Sequence, residues 1–339
     1  MTAPLRFSIV VPTHDRLPAL RRALAAIDRL VYDPERFEVI VVDDGSGDGT
    51  AGYLAGRTDR RFQGVSQPRA GVAAARNTAI RRARGEIVAF TDDDCEVPPD
   101  WLTAFDAQFR ASGADVIGGS VENALPDFIS QFYQDMATHL YEKQNEGAAH
   151  PEFLSANNLA IRRDALARGG LFDDRFFLGG EDRELVKRLA LTGARVVYRP
   201  ELKISHYHAF NLASYARHLY RMGRGSYLLH RVVPRERRYA AVRPDPRVHR
   251  AFLGRLLGAP PAWQAPARVA LFALAQASVL TGFLAAALAG TRQPAGAPRR
   301  GPSAGGIHLP TPASTAEGVH DAIRPREGAH PEAPAPGPR

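Results

Sequence analysis

Between Phe7 and Thr91 the chain alternates short β-branched apolar runs with segments of helical apolar spacing. Phe7 to Val11, Phe37 to Val42, Arg61 to Ser66 and Glu86 to Thr91 read as strands. Leu20, Leu24, Ile27 and Leu30 form one helical stripe, and Val72, Ala75, Ala79, Ile80 and Ala83 another; a further helix is expected after Thr50. Strands without polar alternation are covered on both faces, and alternation with helices predicts a parallel sheet. Ligands of such open sheets lie beyond the carboxyl ends of the strands. Those ends are Pro12-Thr13-His14-Asp15-Arg16, Asp43-Asp44-Gly45-Ser46 and Asp92-Asp93-Asp94, so three acid-bearing loops converge on one edge.

Three adjacent carboxylates repel one another and suit a strand poorly. They are sensible where a strand stops and the acids hold a cation. Alternate strand residues share a face, so Asp92 and Asp94 are expected to point into one site. Oxygen ligands favour Mg²⁺ or Mn²⁺, which bridge readily to phosphates. Alone, the triplet reads equally well as a solvated acidic turn; the neighbouring loops favour the cation.

Further along, a helix is expected from Trp101 to Ala111, a strand near Val116 to Val121, and an aromatic-bearing helix from Pro126 to Glu146. Asn157 and Asn158 precede a short apolar run. Gly179-Gly180-Glu181-Asp182 opens a helix with the stripe Leu185, Val186, Leu189 and Ala190. A strand from Arg195 to Tyr198 leads to Ser205-His206-Tyr207-His208, and a basic helix is expected from Asn211 to His230. Val232 to Pro266 is poor in pattern. Val269 to Gly290 has no charged residue and matches the roughly 20 residues of a membrane span. Gln276, Ser278, Thr281 and Gly282 weaken that reading, leaving a membrane helix and a packing helix evenly matched. Gln293 to Arg339, rich in Pro, Gly and Ala, is expected to be disordered. The expected division is 1–210, an α/β domain; 211–268, a basic extension; 269–290, the apolar helix; and 291–339, the tail.

The net charge of the 339-residue chain is +8, carried almost wholly by arginine, since Lys143, Lys187 and Lys203 are the only lysines. Much of this arginine excess reads as compositional bias. The remainder suits an anionic substrate or membrane surface; nucleic acid is not an expected partner. Cys95 is the only cysteine, which excludes an internal disulfide and suits a cytosolic setting, including the cytoplasmic face of a membrane. No secretory signal pattern is visible at the start.

With these residues in view, the chain resembles the family 2 glycosyltransferases. The matching stretches are Val10 to Arg16, Val41 to Ser46, Gly71 to Asn77, Thr91 to Asp94 and Gly180 to Asp182, in the family's order. The resemblance implies a GT-A fold: a Rossmann-like mixed sheet covered by helices, here with a C-terminal helical extension. It implies an inverting, metal-dependent transfer of a sugar from a nucleotide-diphosphate sugar to an acceptor hydroxyl, in cell-surface glycan or glycolipid synthesis. Donor-binding residues would be Pro12, Thr13, Asp15, Arg16, Asp43, Asp44, Arg76, Asn77, Asp92 and Asp93. Arg76 would bind phosphate or hold Asp92. Mg²⁺ or Mn²⁺ would be held by Asp92, Asp94 and His206, with His208 the alternative histidine. Asp182 would be the general base, and Asn157, Asn158, Gly180 and Glu181 would face the acceptor, a glycan, a lipid-linked sugar or a small molecule. Processive synthases of the family carry a Gln-x-x-Arg-Trp motif. Neither Trp101 nor Trp263 sits in one, which favours single additions. The competing readings are a sugar nucleotidyltransferase, which would show a Gly-rich loop where Pro12-Thr13-His14-Asp15 stands, and a non-catalytic nucleotide-sugar-binding membrane adaptor.

Overall fold

A computed structural model describes residues 4–145, 151, 154–177, 179–232, 246–258 and 261–289. The first half runs β1 (Phe7–Thr13), α1 (Leu17–Ile27), β2 (Phe37–Asp43), α2 (Thr50–Ala55), β3 (Phe62–Ser66), α3 (Val72–Ile80), β4 (Ile87–Phe90), β5 (Cys95–Glu96) and α4 (Trp101–Ser112). The second half runs β6 (Val116–Asn123), α5 (Phe128–Asn145), β7 (Leu159–Arg162), α6 (Arg163–Gly169), α7 (Glu181–Leu191), β8 (Val196–His206), α8 (Leu212–Val232), α9 (Pro246–Gly258) and α10 (Ala265–Leu288).

The strands form one sheet in the order β3-β2-β1-β4-β7-β6-β8-β5. β3, β2, β1 and β4 are parallel, as the alternation predicts. β7 then runs antiparallel to β4 and β6, and the sheet becomes mixed. Both faces are covered, which explains the unbroken apolar strands. Phe7, Ile9, Val11, Val39, Val41, Ile87 and Ala89 pack with Leu20, Leu24, Trp101, Phe105 and Phe109 of α1 and α4. The alternate residues Val10, Ile40, Val42, Val88 and Phe90 pack with Ala75, Ala79 and Ile80 of α3 and Leu185, Val186 and Leu189 of α7.

A third core joins α5, α8, α9 and α10 around Phe132, Met136, Tyr215, Leu219, Phe252, Leu256 and Leu271. Helix α9 lies in the stretch that lacked a readable pattern. Its signal was Phe252 and Leu256, one turn apart and both buried, interrupted by Gly254 and Gly258. Helix α10 begins at Ala265, so the expected 268/269 boundary falls inside it. The expected disordered tail lies outside the described residues.

Helix α8 packs without spacing side chains. A Cβ on Gly223 would strike the Val279 carbonyl of α10, and one on Gly225 would strike the Gly179 carbonyl. One helix thereby touches both the apolar helix and the loop that opens α7.

Candidate active site

The three strand-end loops are tied to one another by short polar links. Thr13, buried at the end of β1, donates from Oγ1 to Asp93 Oδ2 at 2.8 Å. Asp15 takes a left-handed φ of 51° and accepts from Gly47 N at 2.7 Å. Asp48 accepts from Leu17 N at 2.8 Å, at the start of α1. Asp43 Oδ1 accepts from Ser46 N at 2.9 Å. Asp44 accepts from Gln67 Nε2, Ala70 N and Gly71 N at 2.7–2.8 Å, so its carboxylate organises the entry to α3. Pro12 stays within β1, opposite Val42.

The Asp triplet does not continue the strand. β4 ends at Phe90, and Asp93 and Asp94 lie in the turn that follows. Asp92 Oδ1 accepts from Arg76 Nη2 at 2.7 Å, whereas Asp94 Oδ2 accepts from Arg16 Nη1 at 2.7 Å. Strand alternation is not what sets their directions, because β4 ends before either is reached; the charges of both nonetheless act on Arg16 and His206. Burial pushes Asp93 up to about 7, against the pull of Arg16.

Asp94 is instead brought to His206. Cys95 and Glu96 pair antiparallel with His206 and Ser205, and this two-residue ladder sets His206 Nε2 3.2 Å from Asp94 Oδ1. Ligand atoms of Asp94, His206 and Cys95 lie within 4.8 Å of one another. Burial alone would raise Asp94 and lower His206; their mutual hydrogen bond and opposite charges outweigh it and reverse both directions. Burial holds the Cys95 thiol protonated, which leaves a carboxylate oxygen and an imidazole nitrogen as the donors suited to a hard or borderline cation. β8 ends at His206; His208 lies beyond it, yet its ring meets that of His206 edge-on with centroids 5.2 Å apart and stacks on Phe210 at 4.2 Å, so the two histidines stay together beside Asp94.

Arg76 links this region to the second acidic centre. It is buried on α3 and donates from Nη1 to Glu181 Oε1 at 2.7 Å as well as to Asp92. Of its two expected roles, it holds Asp92. Glu181 is thus an internal partner of Arg76. Burial, then the adjacent Asp182 charge, raises the Glu181 carboxyl, with Arg76 opposing. Its Oε2 is buried without a hydrogen-bond partner among the described residues. Asp182 follows, half-buried in the first turn of α7, with Oδ1 accepting from Arg183 N at 2.8 Å and Oδ2 from Ala156 N at 3.2 Å. Gly180 precedes it with φ 91°, which lets the chain turn sharply into α7.

The remaining expected residues divide. Asn157 is buried with Oδ1 unpartnered among the described residues. Asn158 is spent on the fold: its amide donates to the Ser120 and Leu202 carbonyls at 2.8 Å, and its oxygen accepts from Trp101 Nε1 at 3.0 Å. A Cβ on Gly119 would collide with that amide and the Leu202 carbonyl. Asn77 donates to the Phe172 carbonyl and Asp174 Oδ1 at 2.8 Å and accepts from Phe172 N at 2.9 Å, so its amide hydrogens are committed inside the chain.

Beside Asp94 opens a cavity of about 400 Å³, walled by Arg16 and Asp94 on one side and Ser214, Arg217, His218 and Arg221 of α8 on the other. Tyr207, His208 and Phe210 complete the wall. Sequence reasoning missed the α8 contribution, because nothing local in a basic helix says what it faces. The partly buried Tyr133 hydroxyl sits 2.9 Å from His218 Nε2, and burial, then the negative charges of Asp182 and Asp94, raise its pKa. Asp182 is outside the cavity lining and joins the site through the Arg76 bridge.

The model of "Glycosyl transferase family 2" matches residues 8–170. "Glycosyltransferase AglE" of Haloferax volcanii is 30% identical over 187 residues, 53% of this chain and 60% of that protein. "Glycosyltransferase GlyA" of Streptococcus pneumoniae is 26% identical over 204 residues, 57% of this chain and 29% of that protein. The chain thus spans less than two thirds of the length of these curated relatives. Among solved structures, a mannosyltransferase from Pyrobaculum calidifontis in complex with GDP-Man and Mn²⁺ superposes with a TM-score of 0.59 at 22% identity, over 85% of this chain and 88% of that one. TarS 1-349 of S. aureus superposes with a TM-score of 0.51 at 16% identity, over 84% and 92%. At these identities the structural likeness concerns the fold, which is GT-A. Residues 8–170, on that fold, are thus the part of the chain that matches glycosyl transferase family 2.

Proposed function

We propose that the protein is a metal-dependent inverting glycosyltransferase, moving a sugar from a nucleotide-diphosphate sugar to an acceptor hydroxyl in cell-surface glycan or glycolipid synthesis. The observation that carries this reading is the Arg76 bridge. Its two 2.7 Å contacts join the Asp92 loop to Glu181, next to Asp182, and so bind a candidate donor rim to a candidate base. The family match over residues 8–170 and the glycosyltransferase relatives support it.

Asp94 and His206 would hold Mg²⁺ or Mn²⁺, as the chemistry and spacing of their donor atoms allow. Such an ion, when bound, neutralises charge on a departing diphosphate. The neighbour solved with GDP-Man and Mn²⁺ supports this choice of partners. Arg16 orients Asp94, while Asp43 and the Pro12–Arg16 loop line the nucleotide side. Asp182, oriented by the Ala156 and Arg183 amides, takes the proton of the acceptor hydroxyl. The acceptor oxygen forms a bond to the anomeric carbon as the bond from that carbon to the diphosphate breaks, which inverts the centre. Asn157, whose buried Oδ1 has no hydrogen-bond partner among the described residues, would serve the acceptor side.

A thermal-shift series with nucleotide sugars tests donor and metal together. Binding to the folded state at 100-fold excess over Kd adds about 2.7 kcal/mol. The expected stabilisation appears with Mn²⁺, disappears with a chelator, and loses its metal dependence in Asp94→Ala. Equal shifts with and without chelator would sink the metal role. Pyrophosphate release from a nucleoside triphosphate and a sugar phosphate would replace transfer with nucleotidyl chemistry.

The site of action is read from α10. Within the 27-residue stretch Ala262–Leu288 the most apolar 18-residue window has mean hydropathy 1.9 and is only 17% buried, so the rest of the described chain leaves most of it uncovered. Leu280, Leu284 and Leu288 are exposed at one-turn spacing. Residues 211–290 also carry twelve arginines against only Glu236 and Asp245. An apolar helix beside cationic ones suits the anionic, cytoplasmic face of a membrane, where a lipid-linked acceptor would be met. Vesicle flotation is the check. The full chain is expected to float with anionic vesicles and less with neutral ones; equal recovery with both, or none with either, removes the electrostatic part of this reading.

A further inference from the structure

Not all the arginines of α8 are turned towards a membrane. Ser214, Arg217, His218 and Arg221 recur at helical spacing and line the cavity shared with Arg16 and Asp94. Arg16 is neutralised by Asp93 and Asp94. Among the described residues, Arg217 and Arg221 have no carboxylate partner, and α8 contains no acidic residue. Two guanidinium groups one turn apart repel one another. Their helix is fixed by the buried Tyr215 and Leu219 and by backbone contact at Gly223 and Gly225, so both exposed side chains start from a set place on the cavity wall. An anion between them would turn this unfavourable arrangement into a favourable one. The planar guanidinium fork matches the paired oxygens of a phosphate.

We infer that Arg217 and Arg221 form a phosphate-binding subsite on the α8 wall of the cavity. Its occupant is the diphosphate of a nucleotide or a phosphate carried by the acceptor; both present the same oxyanion. The choice between these two sources rests on the transferase reading, whereas the subsite itself can be measured without it.

The test is calorimetric titration of the full chain with inorganic pyrophosphate, in chelator so that no divalent ion contributes. Arg217→Ala/Arg221→Ala is expected to bind about tenfold or more weakly, given the worth of charge-assisted hydrogen bonds. Arg224→Ala, on the same helix but outside the cavity lining, is expected to bind as wild type does. Circular dichroism and Arg217→Lys/Arg221→Lys, which keeps both charges, guard against a folding artefact; the lysine pair is expected to retain part of the affinity. Parallel titrations with uridine and guanosine mono- and diphosphates identify the source. Selective loss of diphosphate affinity assigns the subsite to the donor. Weakened pyrophosphate with unchanged nucleotides assigns it to an acceptor phosphate. Equal pyrophosphate binding by wild type and the alanine pair, or no binding by wild type, overturns the subsite. Retained pyrophosphate binding in a protein that transfers no sugar would overturn the transferase reading alone.

Discussion

Asp182→Asn is expected to lower turnover by about 10²–10⁴-fold, the loss typical of a removed general base, while donor affinity stays near wild type. The substitution keeps the side-chain size and removes the group that takes the proton. The donor contacts proposed for Asp43, Arg16 and Asp94 lie on other loops, so nucleotide binding has no reason to change. One complication follows from the geometry. Both Asp182 oxygens accept backbone N–H groups, from Ala156 and Arg183, and an amide can satisfy only one of them. Some local loosening is expected, and a thermal unfolding curve separates it from lost chemistry. Asp182→Glu, which keeps a base but displaces it, should recover part of the activity. Single-turnover rates at saturating donor are the measurement, and wild-type turnover in Asp182→Asn would falsify the assignment.

Arg76→Leu should produce the largest loss of stability. The guanidinium is 3% exposed and is the observed partner of Glu181 Oε1, while Glu181 is itself buried. Removing one side of a buried ion pair strands the other charge, at a cost of about 3–5 kcal/mol. Asp92 is more exposed and loses less. The direction with pH follows from Glu181. Its folded carboxyl is already raised above its ordinary value by burial and by Asp182. A raised group gives stability that is fully present below the unfolded pKa and lost as pH rises through the folded one. Without Arg76 that folded value climbs further, so the deficit against wild type should widen from about pH 6 to about pH 8. Urea unfolding at both values reads this out; a deficit that is constant, or larger at low pH, would show that Glu181 is not the stranded charge. Turnover should fall as well, because the loss loosens the entry to α7 immediately before Asp182.

Much of this organisation was open to a reader of the residues alone. The β-branched runs at Phe7, Phe37 and Ile87 and the Gly/Asp-rich stops behind them are local signals, and parallel pairing placed all three stops on one rim. The start of α7 after Gly180 was equally local. The partners of the charged groups were not. His206 meets Asp94 only because a two-residue strand pairs with the far end of β8, and two residues carry no pattern of their own. Glu181 lies 105 positions from Arg76, and no spacing rule links them. Asn158 was expected to face the acceptor, yet it closes three hydrogen bonds in the core.

Sequence by itself determined the βα order, the loops at the strand ends and the family match, since each depends on neighbours within a few residues. Tertiary structure decided which acid meets which base, that Asp94 is set with His206, and that α8 brings two arginines to the cavity. The reason is physical. Backbone propensity and hydrophobic periodicity act along the chain, whereas ion pairs and hydrogen bonds act through space over a few ångströms, and only packing brings distant residues that close.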